Sequence, residues 1–208
     1  MIPMETLATF FMASLLLGLA PGPDNIFVLT QSALRGKAAG LLVTLGLCTG
    51  LVVHTSAVAF GVAVIFQASA IAFTVLKLLG AGYLLYLAWQ AFRASAERIS
   101  AGGQHQLSHA ALYRRGVIMN ITNPKVSIFF LAFLPQFADP ARGPLTLQML
   151  MLGGVFIVST ILVFGSIALL AGSIGQWLNR SPRIQLWMNR TAGIVFVGLA
   201  LKLATVNR

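Results

Sequence analysis

Six apolar runs, at residues 6–30, 38–66, 69–92, 116–137, 145–171 and 188–206, constrain this chain more than any other feature. A helix of about 20 residues crosses a hydrocarbon core of about 30 Å, and each run is long enough to do so. A soluble fold is excluded on composition as well: 58% of the 208 residues are hydrophobic and only 9% are charged, too little polar surface to face water on all sides. The expected fold class is an all-α integral membrane protein with six transmembrane helices.

The charges between the runs alternate. Arg35 and Lys37 follow the first run, Arg93, Arg98, Arg114 and Arg115 the third, and Arg180, Arg183 and Arg190 the fifth. The opposite side carries only Arg142, Lys202 and Arg208. The richer side is expected in the cytoplasm, which leaves both termini outside. This distribution also accounts for the net charge of +10 without a nucleic-acid partner. Trp177 and Trp187, set among the last arginines, suit the headgroup level before the sixth run. The first run has no cationic leader and no clear cleavage site, so it is expected to be retained.

Residues 93–115 form the longest polar stretch, rich in small residues, and read as a flexible cytoplasmic join. It separates residues 1–92 from 116–208 within one transporter domain. Three spans on each side force the second set to enter the membrane in the opposite sense to the first. That is the topology of two inverted three-helix repeats.

Two places inside the apolar runs carry polar groups and helix-breaking residues together. The first run holds Pro21, Gly22, Pro23, Asp24 and Asn25; the fourth holds Asn120, Asn123, Pro124 and Lys125. A proline lacks the backbone donor and clashes with the preceding turn, so each run is expected to break there. Irregular backbone at membrane depth survives only where protein or a wet cavity covers it. Interrupted helices at corresponding places in two halves point to a transporter's binding site. Asp24 and Lys125 are costly in lipid unless partnered, and the simplest arrangement pairs them across the first and fourth helices, with the three asparagine amides beside them. In the alternative, Lys125 reaches the headgroups and Asp24 caps a half-helix.

His54 and Lys77 lie near the middles of the second and third runs and, with Asp24, are the candidates for a proton relay. For His54 the plainer role is an interhelical hydrogen bond. Cys48 is alone, which rules out an intramolecular disulfide, and reads as a packing residue. Gly18 with Gly22, and Gly46 with Gly50, allow close helix contact, within the fold or between two copies in a homodimer. His105 and His109 fall in the join, and no nucleotide loop, zinc motif or nucleophile elbow is present. No enzyme activity, metal or cofactor is expected.

The stretches "PGPDNIFVL" and "NITNPKVSIFF", with "LGAGYLLYLAWQ" between them and "GIVFVGLALKL" near the end, resemble the LysE/RhtB family of bacterial amino-acid exporters over essentially the whole chain. The resemblance implies an inner-membrane protein that moves amino acids of the homoserine, threonine, leucine or lysine type out of the cytoplasm, with proton-motive force as the usual energy source. The family's two motifs fall on Pro21, Gly22 and Pro23, and on Asn123, Pro124 and Lys125. The partners implied are an amino acid, protons and the lipid bilayer. Two other readings of the residues stay open: a passive channel for small zwitterions, which could not work against a gradient, and a membrane interaction subunit working through its basic loops.

Overall fold

A computed structural model describes residues 2–62, 70–95, 107–180 and 182–205. These residues form helices and no strands. The first run is two helices, α1 (Met4–Leu19) and α2 (Pro23–Arg35), whose axes bend by 64°. Gly36 turns the chain at φ +86, a conformation costly for any residue with a Cβ, and α3 (Lys37–Ala57) starts at once, ending in a π turn at Val58–Val62. Next come α4 (Ala70–Arg93), α5 (His109–Thr122) and α6 (Pro124–Ile128), which continues through a π turn and a 3-10 turn to Phe137; α5 and this continued segment bend by 50°. Two long helices close the chain, α7 (Leu145–Arg180) and α8 (Pro182–Thr205).

Among the described residues, four helices are long and apolar enough to cross a membrane, and up to six spans result if each bent pair counts as one. The chain is a multi-pass membrane protein. Its outer faces carry large apolar groups, with Ile71 78% and Leu79 67% exposed, as lipid contact allows.

Some boundaries differ from those expected. The join ends earlier than residue 115, because the Ser108 hydroxyl accepts from the Ala111 N–H and starts α5 there, and Leu112 is buried. His109, Arg114 and Arg115 are therefore helical. Trp187, 68% exposed, lies within α8 rather than before it. Arg98, His105, Arg208 and the side chains of Trp177 and Arg180 lie outside the described residues.

Lipid supplies no hydrophobic drive between helices, so association depends on close packing. The most extensive pairing is α3 with α5, followed by α4 with α8 and α3 with α7. A Cβ on Gly46 would lie 2.2 Å from the Tyr113 carbonyl oxygen, and one on Gly116 2.4 Å from that of Val43. The two backbones touch where neither residue has a side chain. Thr49 and Tyr113 hydroxyls share a 2.9 Å hydrogen bond along the same seam, and Cys48 is buried as a packing residue.

Beyond the second bend, Phe129, Phe130, Phe133 and Phe137 pack with Phe10 of α1 and Phe156 of α7, with ring centroids as close as 4.8 Å. All six are buried. This aromatic block fills the bundle on one side of the two bends.

Candidate functional site

Proline chemistry builds the site. In an unbroken helix the carbonyl of Leu17 would accept from residue 21 and that of Leu19 from residue 23, but Pro21 and Pro23 have no N–H. The last turn of α1 is thus left with open carbonyls in a medium where each unmet group costs several kcal/mol. Side chains fill them. Lys125 Nζ donates to the Leu17 oxygen at 3.3 Å and to the Ala20 oxygen at 3.1 Å, while Asn25 Nδ2 reaches back to the Gly18 oxygen at 2.7 Å. A cation at a helix C-terminus also matches the negative end of the dipole.

The second bend repeats the problem. Pro124 deprives the Asn120 carbonyl of its helical donor. His54 Nε2, 3.2 Å away on α3, donates to that oxygen, and so does the Asn123 N–H at 3.1 Å. Because a carbonyl can only accept, Nε2 carries the proton. The ring also stacks on Phe130, with centroids 5.6 Å apart.

Besides Lys125, a second side chain joins the two bends directly. Asn123 Nδ2 donates to Asp24 Oδ2 at 2.8 Å, and Asn123 Oδ1 caps α6 by accepting the Lys125 N–H at 3.0 Å. Asp24, in the first turn of α2, is 3% exposed. Asp24 and Lys125 thus each reach the other's broken helix, but they bond different partners and not one another. Ordinary polar groups in the spans behave otherwise: Ser14, Ser32, Thr44 and Thr55 bond the carbonyl one turn back.

Among the described residues, three buried oxygens at the bends accept nothing: Asp24 Oδ1, Asn25 Oδ1 and Asn120 Oδ1. All three are acceptors, so the surroundings call for donors. Pro21, Pro23 and Pro124 are exposed and Gly22 is half-buried, whereas Asn120 and Asn123 are buried with Asp24. Gly22 has Lys125 Nζ 3.3 Å and Asn25 Oδ1 3.7 Å from where its Cβ would be. Gly50 is packed under Asn120, where a Cβ would come within 2.7 Å of Oδ1. Lys77 lies half-buried on α4, and the hydrogen bonds described above come from other residues.

Sequence reading missed the backbone oxygens of Leu17, Gly18 and Ala20 as ligands. The prolines four residues beyond Leu17 and Asn120 were the available signal. It also missed the phenylalanines, although their spacing from Phe129 to Phe137 places them on adjoining turns.

If His54 serves the Asn120 carbonyl, His54→Phe should lower the melting temperature of the purified protein by the worth of one buried bond, about 1–2 kcal/mol. His54→Gln, which keeps a donor, should recover most of that loss and keep any proton-driven transport. Loss of coupling in a stable Gln variant would make His54 a proton carrier instead.

The LysE type translocator family matches residues 15–207. An uncharacterized membrane protein of Vibrio cholerae is 36% identical over 95% of this chain and 96% of its own length. A homoserine/homoserine lactone efflux protein of Salmonella typhi is 35% identical over 95% of each chain, and a leucine efflux protein of Salmonella choleraesuis 26% identical over 96% of this chain and 94% of its own. No solved structure matches. With the match running from the last turns of α1 through α8 and taking in both bends, the chain belongs to the LysE family of translocators.

Proposed function

We propose that this protein exports amino acids from the cytoplasm across the bacterial inner membrane in exchange for protons, and that substrate binds between the two bends. The observation that carries this is the unmatched oxygens buried at the two bends, Asp24 Oδ1 and Asn25 Oδ1 at the first and Asn120 Oδ1 at the second. Substrate entry and proton uptake both bring donors to this region. Asn25, Asn120 and Asn123 hold the polar ends of the substrate, and Asp24 takes up and releases the proton. Protonation drives transport only if it changes which of the inward- and outward-facing states is lower in energy.

The names of the relatives favour the same chemistry. Homoserine, its lactone and leucine all carry a primary amine, whereas the lactone has no free carboxylate. A site serving such cargo recognises the ammonium. Each half of the chain runs as a bent pair followed by two long helices, which supports two inverted three-helix repeats. Basic residues on alternate connections support termini outside.

Counterflow in proteoliposomes tests this reading. Labelled homoserine and leucine should accumulate above equilibrium when a pH gradient is imposed. Equilibration that ignores the gradient would make the protein a passive facilitator.

A further inference from the structure

We propose that the carbonyls of Leu17 and Ala20 are the seat of the substrate's ammonium, and that Lys125 holds this seat in the empty protein as a tethered substitute. The proposal rests on the export reading above and assigns Lys125 a role other than gripping the substrate's carboxylate.

The seat is made by the first bend. Pro21 strips the Leu17 oxygen of its helical donor, and the helix ends before the Ala20 oxygen finds one. Two carbonyls at the negative end of a helix select a cation that can donate hydrogen bonds. A primary ammonium fits them, since one is already there at 3.3 and 3.1 Å. That ammonium belongs to the other half of the chain, at the end of a flexible four-carbon stem on the first turn of α6.

The structure also offers Lys125 somewhere to go. Asp24 Oδ1 and Asn25 Oδ1 lack donors. Gly22 lies beside Nζ and Asn25 Oδ1 and puts no side chain between them. An arriving ammonium can therefore take the carbonyls while Lys125 moves toward the free oxygens. The number of buried cations facing the α1 terminus stays constant through this exchange. When substrate leaves, Lys125 returns, and the α1 terminus never stands open.

A tethered competitor at high effective concentration weakens binding of the free ligand by the fraction of time that the seat is open. Two analogues separate the handles in wild-type counterflow of labelled homoserine. Propanolamine is homoserine without its carboxylate; γ-hydroxybutyrate is homoserine without its amine. Propanolamine should inhibit and γ-hydroxybutyrate should not. In Lys125→Met, propanolamine should inhibit about tenfold more tightly, because the competitor is gone, while maximal homoserine flux falls. Inhibition by γ-hydroxybutyrate alone, or weaker propanolamine inhibition in Lys125→Met, would overturn the proposal and make Lys125 a carboxylate ligand. The wild-type comparison decides between ammonium and carboxylate recognition even if the variant does not fold. Absence of counterflow for every amino acid tried would strike the export reading itself, and this proposal with it.

Discussion

Replacing Asp24 with Asn should leave homoserine exchange across liposomes running down its gradient while abolishing accumulation driven by pH. The carboxylate accepts one hydrogen bond, from Asn123 at 2.8 Å, and an amide oxygen in the same place accepts it equally. The amide's own N–H groups supply donors on the side where Asp24 Oδ1 now has none. The variant loses the carboxylate that offsets the buried Lys125 charge, so it should melt below the parent, and exchange is compared at a temperature where both are folded. The variant has no proton to exchange. At one proton per substrate, a gradient of one pH unit supports about tenfold accumulation, so the expected fall is from about tenfold to equilibration. Accumulation at the wild-type level in this variant would remove Asp24 from the coupling step and leave it as the structural acceptor for Asn123.

A large loss of stability should come from Gly116→Ala. Alanine is favoured over glycine inside a helix by about 1 kcal/mol, so a surface substitution of this kind would stabilise. Here the new methyl would sit 2.4 Å from the Val43 carbonyl oxygen and 3.1 Å from the Gly46 Cα. Both are backbone atoms, which cannot turn aside as a side chain does. Overpacking costs about 1–3 kcal/mol where neighbours yield, and more where they do not. Parting α3 from α5 would also stretch the His54 bond to the Asn120 oxygen and the Thr49–Tyr113 bond. Monodisperse protein should be lost on size-exclusion chromatography in mild detergent. Gly165→Ala, where nothing lies within 4 Å, is the control and should melt no lower than wild type. A Gly116→Ala protein as stable as that control would mean that the seam is loose.

The bends were readable because proline acts on its own backbone, whatever surrounds it. Pro21 and Pro124 announce an unmet carbonyl four residues earlier, and only the identity of the donor was open. That donor could not be read, because it depends on how two helices approach in space. Lys125 was expected to face Asp24 by charge alone; the backbone oxygens of Leu17 and Ala20, which have no letter of their own in a sequence, take it instead. His54 had two readings, and packing on α5 decides which one its geometry favours. Glycine spacing on α3 flagged Gly46 and Gly50, yet their partners, Gly116 and Asn120, belong to a helix whose start was set too late. Its first turns look polar by composition and become helical through Ser108 and Leu112.

Part of the debt of each bend is met from the other half: Lys125 serves the first and His54 the second. This has a temporal side during synthesis. Lys125 follows Ala20 by 105 residues, and ribosomes add about 5–20 residues per second. The first broken helix is therefore synthesised roughly 5–20 seconds before its cation exists. Over that interval water or the insertion machinery must solvate the Leu17 and Ala20 oxygens, and the nascent first half holds only a provisional place in the bilayer until the second half arrives to complete it.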